Sequence, residues 1–382
     1  MVIWYINHYA RPPSHGGSGR PVFLARELAG LGHSVLVIAA SHHHIRSEPV
    51  PESDLNRPHD VDGIRFLFLP ARPYRGNTLG RYLNMRDFAK GIDGLAEFVK
   101  SGAVSAPDVI IASSAHILVY PPARRLAREI GARIIFEVRD IWPLSLVEIA
   151  GVPSWHPVVA YMKRIEREAY RTTDAVVSLL PNAKEHMQPR GLSPDRFHWI
   201  PNGVCAAEWK EDPVALPAGL QEEIDHCRRD GKLAVVYTGA HGPPNALDQL
   251  LGLSSLAGAD APYRFLLVGE GIRKESLRAE ARKRGADYLR FFPPISRSEA
   301  RSAMEQADVC FIGWQDKPIY HYGISANKLF EYMMSGRPVL HAVSRCVDPV
   351  EVADAGISVP PYQPDALVAA PVSYTHLTLP TN

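Results

Sequence analysis

Gly323-Ile-Ser-Ala-Asn-Lys-Leu-Phe-Glu-Tyr-Met-Met-Ser-Gly-Arg-Pro-Val339 runs a glycine-bearing loop straight into a short amphipathic helix. Lys328 falls in the first turn of that helix and Glu331 about one turn further in. Unsatisfied backbone N–H groups and the positive end of the helix dipole make such a start a seat for a phosphate or diphosphate. Lys328 adds a full positive charge there, and Glu331 lies deep enough to accept hydrogen bonds from a sugar hydroxyl. An ordinary capped surface helix has the same local pattern, so this segment by itself leaves both readings open. A second glycine loop near the N-terminus, His15-Gly-Gly-Ser-Gly-Arg-Pro21, has a complementary design.

Working outward from that helix, apolar strands alternate with helical patterns. Ala234–Thr238, Arg264–Val268, Tyr288–Phe292, Val309–Ile312 and Pro338–His341 read as strands. Ala246–Leu256, Arg273–Arg284, Ser298–Gln306 and Lys328–Ser335 read as the helices between them. The first half repeats the alternation. Its strands are Val2–Ile6, Ser34–Ala39, Ile64–Leu69, Val109–Ala112, Arg133–Glu137 and Ala175–Leu179, and its helices include Val22–Leu31, Pro122–Ile130 and Val158–Arg171. Near-continuous Val and Ile strands interleaved with helices predict parallel sheets covered on both faces. The expected organisation is two doubly wound α/β domains, residues 1–205 and 231–371, joined by a linker at 206–230. Ligands of such sheets bind at the carboxyl ends of the strands, which places the expected site in a cleft between the two domains.

Composition agrees with this frame. A chain of 382 residues exceeds what one hydrophobic core usually supports. Its 46% hydrophobic and 22% charged residues are those of a globular protein, and a net charge of +1 argues against bulk nucleic-acid binding. Cys205, Cys227, Cys310 and Cys346 are widely spaced and read as reduced thilols of a cytoplasmic protein, with no C-x-x-C pair. The start has no basic region followed by a long apolar run, so no leader is expected, and no window reaches the ~20 apolar residues of a membrane span. Arg72, Tyr74, Arg75, Leu79, Arg81, Tyr82, Leu83 and Arg86 interleave cations with apolar groups, a pattern shared by a solvated basic face and a peripheral membrane contact.

Several strand exits carry candidate chemistry. The loop at Gly16 and Gly17 allows close backbone approach of a ligand, and Arg20 is placed to face an anion. A dinucleotide site fits poorly, because the spacing is not G-x-G-x-x-G and no acidic residue follows the second strand. His116 follows the fourth strand, and Arg139, Asp140 and Trp142 follow the fifth; these suit a sugar or polar acceptor, or else an interdomain salt bridge with a packed indole. Gly239 and Gly269 follow strands of the second half and leave space for a phosphate or nucleoside, with Arg273 and Lys274 in the next turn. His42-His-His44 lacks a carboxylate or cysteine at ligand spacing and reads as a solvated loop, so no metal is expected.

The ordered series of glycine loop, strand-end His116, Ile200-Pro-Asn-Gly-Val204, glycine turns and the Glu331 helix resembles the retaining nucleotide-sugar glycosyltransferases of the GT-B fold, glycosyl transferases group 1. The resemblance spans nearly the whole chain, to about Leu367. Tyr5-Ile-Asn-His-Tyr9, Glu137-Val-Arg-Asp-Ile-Trp-Pro143 and Asn327-Lys-Leu-Phe-Glu-Tyr-Met333 are further similar to the subgroup that makes exopolysaccharide, colanic acid and O-antigen, fucosamine transferases included. The resemblance implies two Rossmann-like domains facing across a cleft. It implies Gly16 and Gly17 beside the donor diphosphate and acceptor, His116 beside the donor sugar, Lys328 on the diphosphate and Glu331 on the ribose diol. Gly239, Gly269, Lys274, Gly323, Ser325 and Asn327 complete the expected donor site, with Arg20, Arg139, Asp140 and Trp142 on the acceptor side. His116, Lys328 and Glu331 form the expected catalytic set.

Two departures stand out. Family members often carry two glutamates eight residues apart, whereas Gly323 stands at the partner position to Glu331, so backbone N–H groups of 323–327 take over that contact or it is absent. The basic pair expected after the Gly239 strand is replaced by Ala240-His-Gly-Pro-Pro244. The implied reaction moves an N-acetylated or deoxy-amino hexose from a UDP-sugar to a lipid-linked or glycan acceptor with retention. It needs no metal or other cofactor, runs at the cytoplasmic face of the inner membrane, and closes the domains about Pro201–Val204. A sugar-nucleotide epimerase of the same architecture and a non-catalytic sugar-nucleotide-binding fragment are the alternatives. Val372-Ser-Tyr-Thr-His-Leu-Thr-Leu-Pro-Thr-Asn382 resembles a translated sequencing adapter, from which a truncated natural chain is expected.

Overall fold

A computed structural model describes residues 1–15, 19–44, 46, 49–76, 78–254, 261–344 and 346–374. The chain divides into two units, Met1–Asn202 and Gly203–Asn382. Gly16, Gly17 and residues 375–382 lie outside the described residues.

The first unit is built on eight strands: β1 Val2–Ile6, β2 Ser34–Ala40, β3 His59–Val61, β4 Ile64–Leu69, β5 Val109–Ser113, β6 Arg133–Val138, β7 Ala175–Ser178 and β8 Phe197–Trp199. Their order is β3-β4-β2-β1-β5-β6-β7-β8, parallel throughout except for the short antiparallel pair β3–β4. The central strands are fully buried because Val and Ile side chains on both faces meet helices, among them Arg20–Gly30, Leu79–Asp93, Tyr120–Ile130 and Pro157–Thr172. Gly131 closes the third of these with φ +75°, the left-handed conformation favoured after a helix C-terminus. The sequence reading finds six of the eight strands. It misses β3 and β8, which are three residues each and half-exposed edge elements with no apolar run to reveal them.

The second unit holds β9 Leu233–Thr238, β10 Tyr263–Val268, β11 Leu289–Phe292, β12 Val309–Gly313, β13 Val339–Ala342 and β14 Gly356–Val359. All are parallel, in the order β11-β10-β9-β12-β13-β14. The stretch read as a linker belongs to this unit. Ala218–Arg229 is a helix that buries Leu220, Ile224 and Cys227. Arg301 of the helix Arg297–Gln306 donates to the carbonyls of Glu208, Glu211 (2.7 Å) and Asp212 (2.9 Å), so the polar segment before that helix is tied down. Residues expected as an α-helix at Ala246–Leu256 form a 3-10 helix over Leu247–Leu253. Its buried leucines meet Val235, Tyr263 and Phe265 in the core.

The exits of β9 and β10 touch backbone to backbone. A Cβ on Gly269 would lie 1.9 Å from the Gly239 carbonyl oxygen, and one on Gly271 would lie 2.5 Å from that of His241. Gly239 and Gly269 also adopt φ of +143° and +145°. Gly269→Ala therefore combines backbone strain of about 1–3 kcal/mol with overpacking of about 1–3 kcal/mol. Gly285→Ala, at φ +62° with nothing near its Cβ, is the control and loses only about 1–2 kcal/mol. Urea unfolding of the two variants checks the difference, and equal losses would show that the turn contact contributes nothing.

Candidate functional site

In the second unit, the glycine turns after β9 and β10 lie beside the N-terminus of the helix Asn327–Met334. Gly323 precedes that helix at φ +109°, where a side chain is disfavoured. The N-cap is Ala326, whose side chain offers no acceptor to the first N–H groups of the helix. Ser325 is half-buried and Asn327 exposed at this start. Tyr332, fully buried on the same helix, accepts from Thr238 N at 2.8 Å and locks the helix onto the end of β9.

Lys328 sits at the centre. Its Nζ donates to Tyr237 Oη at 2.9 Å and Asn245 Oδ1 at 2.5 Å, and lies 4.5 Å from the centre of the Tyr237 ring. Both partners are oriented to accept, because the Tyr237 hydroxyl and the Asn245 amide each donate to the Ala240 carbonyl. Burial pulls Lys328 down to about 7, against a weaker upward pull from Glu331. A neutral amine has two N–H donors, and these two acceptors satisfy it. Protonation adds a third donor, for which the described residues supply no acceptor.

Glu331 is bridged by Arg297 at 3.1 Å, and Arg297 also reaches Glu208 at 3.0 Å. Burial raises the Glu331 carboxyl, with Arg297 opposing. A cavity of about 340 Å³ adjoins this bridge, lined by Glu208, Trp209, Arg297, Arg301, Met304 and Glu331. Sequence reading missed Tyr237, Asn245 and Arg297, which come from three other segments and carry no motif.

Lys274 is placed differently from the expectation. Its ammonium donates to Gly269 O (2.8 Å), Phe292 O (2.9 Å) and Glu270 Oε1 (2.6 Å), so its three donors staple the ends of β10 and β11 instead of facing a phosphate. His241, in the position where a basic pair was expected, is fully buried, with no hydrogen bond to either ring nitrogen among the described residues. Burial, then Lys274 and Lys328, hold it down to about 4, so it brings no charge.

The first unit gathers its polar groups at the carboxyl ends of β1, β5 and β6. Glu137, 1% exposed, accepts from Arg20 Nε (2.6 Å), Ser113 Oγ (2.6 Å) and Tyr5 Oη (2.5 Å). Arg20 also donates to Pro201 O at 2.6 Å. The expected acceptor residue Arg20 is thus a buried ion-pair partner that ties the helix Arg20–Gly30 to the end of this unit. Burial alone would raise Glu137, but Arg20, Arg139 and the two hydroxyls outweigh it and lower the carboxyl. Arg139 N donates to Ser114 Oγ at 3.1 Å; Asp140 is exposed, and Trp142 is half-buried, its indole N–H without a hydrogen-bond acceptor among the described residues. Glu137 stood in the sequence as a lone carboxylate in an apolar strand, a signal that a buried partner must exist.

His116 lies just past β5, fully buried. Its Nε2 is 2.9 Å from His8 Nδ1, and His8 Nε2 is 2.9 Å from Asn84 Oδ1. The run at 42–44 is not uniformly solvated. His44 is exposed and bonded to Tyr74 at 2.7 Å, whereas His43 is buried beside Tyr9 and His8 because the chain after β2 folds back over the β1 exit. Among the described residues, no group of three His, Cys, Asp or Glu side chains is disposed to hold a metal. No described helix is long and apolar enough to cross a membrane.

Comparison with known proteins gives two family matches. Residues 20–203 match the Glycosyl transferase 4-like domain, and residues 232–374 match Glycosyl transferases group 1. No curated protein matches the sequence significantly. Among solved structures, an E. coli trehalose-6-phosphate protein bound with UDP-2-fluoro glucose has a TM-score of 0.70 at 12% identity, covering 99% of this chain and 92% of its own. Anabaena Alr3699/HepE in complex with UDP-glucose has a TM-score of 0.65 at 14% identity, covering 98% and 90%. WaaG, a glycosyltransferase involved in lipopolysaccharide biosynthesis, has a TM-score of 0.63 at 14% identity, also covering 98% and 90%. At these identities the likeness shows the fold, which is GT-B.

The Glu137 network gives a stability prediction. Arg20→Ala leaves a buried, uncompensated carboxylate and should cost about 3–5 kcal/mol, with Glu137→Gln costing less. A lowered Glu137 contributes stability that is present above its unfolded value of 4.5 and is lost as pH falls through the folded value. Unfolding of the parent should therefore ease below about pH 4.5 more steeply than that of Glu137→Gln; parallel pH profiles would refute the assignment.

Proposed function

We propose that this chain, whose first unit matches a Glycosyl transferase 4-like domain and whose second matches Glycosyl transferases group 1, transfers a sugar from a UDP-sugar, with Lys328 on the diphosphate and Glu331 on the ribose diol. The observation that carries the reading is the third donor of protonated Lys328. Tyr237 and Asn245 use the other two, and the uncapped helix start and two glycine turns crowd the same place. An anion there supplies the missing acceptor and restores the charge that burial removes. As phosphate leaves the sugar, the same group meets the growing negative charge, which is the term expected to dominate the rate.

The remaining particulars are proposed with it. The sugar is an N-acetylated or deoxy-amino hexose, transferred with retention to a lipid-linked or glycan acceptor of surface polysaccharide. The acceptor side comprises Arg139, Asp140 and Trp142, which follow the carboxyl end of β6 within four residues. Peripheral contact with the inner face of a membrane is supported by exposed Arg75, Leu79 and Arg86 around the start of the helix Leu79–Asp93. No metal is assigned, since Lys328 and the helix start serve the leaving group. Glycosyl transferase domains favour a transferase over an epimerase, which would act on the sugar nucleotide without an acceptor.

The test is calorimetric titration of UDP followed by turnover of UDP-N-acetyl sugars with lipid-linked acceptors. Lys328→Ala should weaken UDP by roughly 10–100-fold, the loss of one charge-assisted hydrogen bond. Glu331→Ala should weaken it by roughly tenfold. Parental affinity in both variants would sink the site, and sugar conversion without acceptor would mark an epimerase.

Proton linkage gives a second check. Burial pulls Lys328 down to about 7, and a bound diphosphate would raise it, so binding is expected to take up a proton. UDP affinity should fall as pH rises above about 7, and Lys328→Met should bind weakly with a flat profile. A parent with a flat profile over that range would remove Lys328 from the diphosphate.

A further inference from the structure

One guanidinium nitrogen serves two carboxylates beside the cavity of the second unit. Arg297 Nη2 lies 3.1 Å from Glu331 Oε1 and 3.0 Å from Glu208 Oε2. The three residues come from separate places: the helix Arg297–Gln306, the helix Asn327–Met334 and the 3-10 helix Ala206–Lys210. All three line the cavity of about 340 Å³. Glu331 and Arg297 keep 22% and 39% of their side-chain surface, so a ligand can reach both.

Arg297 is an unexpected residue for its position. It is the first residue of its helix, directly after the N-cap Ser296 of the Ser296–Glu299 capping box, where the helix dipole disfavours a cation. The two carboxylates offset that disadvantage. Glu208 is held at the bridge, because buried Arg301 donates to the carbonyls of Glu208, Glu211 and Asp212, and Val214 N donates to Ser302 Oγ at 2.8 Å. The charged groups that act on Glu331 are thus Arg297 and Glu208 from neighbouring segments and Lys328 from its own helix. Lys328 is already engaged with Tyr237 and Asn245. Burial raises the Glu331 carboxyl, Arg297 pulls it down more than Lys328 does, and Glu208 pushes it up. Only the ionised carboxylate offers its full set of about four acceptor sites, and hydrogen bonds to it are the stronger kind.

We propose that Arg297 is a positioning residue that holds the Glu331 carboxylate as the charged acceptor of a ribose diol, that Glu208 works against it by sharing the same guanidinium nitrogen, and that the balance of the three sets a preference for ribonucleotides over 2′-deoxyribonucleotides. A diol donates two hydroxyls to a charged carboxylate, and a 2′-deoxy sugar donates one. The nucleotide preference rests on the ribose contact proposed above; the hold of Arg297 and Glu208 on Glu331 does not.

The test begins with carboxyl-carbon magnetic resonance of the full chain labelled with 13C-glutamate, without ligand, with Glu331→Gln to assign the signal. The titration midpoint of Glu331 should rise in Arg297→Gln, stay near the parent's in Arg297→Lys, and fall in Glu208→Gln. Loosened packing does not produce shifts of opposite sign. An unmoved midpoint in Arg297→Gln overturns the proposal whatever the protein binds, and a midpoint that does not fall in Glu208→Gln refutes the opposing role of Glu208. The carboxylate is charged above its midpoint and loses its charge as pH falls through it. The ratio of UDP to 2′-deoxy-UDP affinity, from calorimetry, then isolates the diol, because uracil and diphosphate contacts cancel. In the parent this ratio should be roughly tenfold above the midpoint. At a pH between the midpoints of the parent and Arg297→Gln, the variant should fall to roughly twofold while Arg297→Lys keeps the parental ratio. Equal ratios in the parent and Arg297→Gln at that pH refute the proposal. A parent that binds both nucleotides equally at every pH, with the midpoints shifted as expected, refutes the ribose contact and the nucleotide preference while the hold on Glu331 stands.

Discussion

The chain after β10 lies so close to the chain after β9 that no side chain fits between them, and the chemistry of the C-terminal unit follows from that contact. Gly269 against the Gly239 carbonyl brings two strand exits together and turns the following loop over the Tyr237 ring. The loop then delivers Asn245 to the ammonium of Lys328, while Lys274 staples the next strand end. Burial under this crowding pulls Lys328 down from the ordinary lysine range to about 7. A lysine in open solvent carries a fixed charge, whereas burial opposes the charge of this one.

The N-terminal unit solves a different problem, the burial of polar groups at the ends of three adjacent strands. Glu137 accepts from a guanidinium and two hydroxyls, so its charge is compensated inside a low-dielectric interior. Next to it, the Asn84–His8–His116 chain is buried without charge, because burial holds both rings well below their ordinary value. One assembly holds the backbone around Arg20 and Pro201 in place, and the other joins the exits of β1 and β5 to the helix Leu79–Asp93. Both draw on β1 and β5, which pair directly in the sheet, so neither can shift without the other.

Much of this was legible in the residues alone. Runs such as Ser34–Ala40 and Val309–Gly313 encode buried parallel strands because their composition reports burial directly, and the pairing of Lys328 with Glu331 on one helix follows from a spacing of one turn. Edge strands β3, β8 and β14 escaped because short, half-exposed elements leave no apolar signature. The polar assignments fared less evenly. Lys274 and Arg20 read as ligand-facing cations, and tertiary packing gave both of them carbonyl or carboxylate partners.

The sequence by itself determined two doubly wound sheets, the glycine turns at their carboxyl ends, and the helix carrying Lys328 and Glu331. Those features rest on periodicity, backbone conformation and local spacing, all of which are properties of a short stretch of chain. Only the tertiary structure decided which cations remain available, how far Lys328 is dehydrated, and what the buried His8 ring bonds to. Each of those depends on an acceptor brought from far along the chain: Glu137 to Arg20 across 117 positions, Asn84 to His8 across 76, Asn245 to Lys328 across 83. A donor's partner is set by distance in space, and a short stretch of sequence does not record that distance.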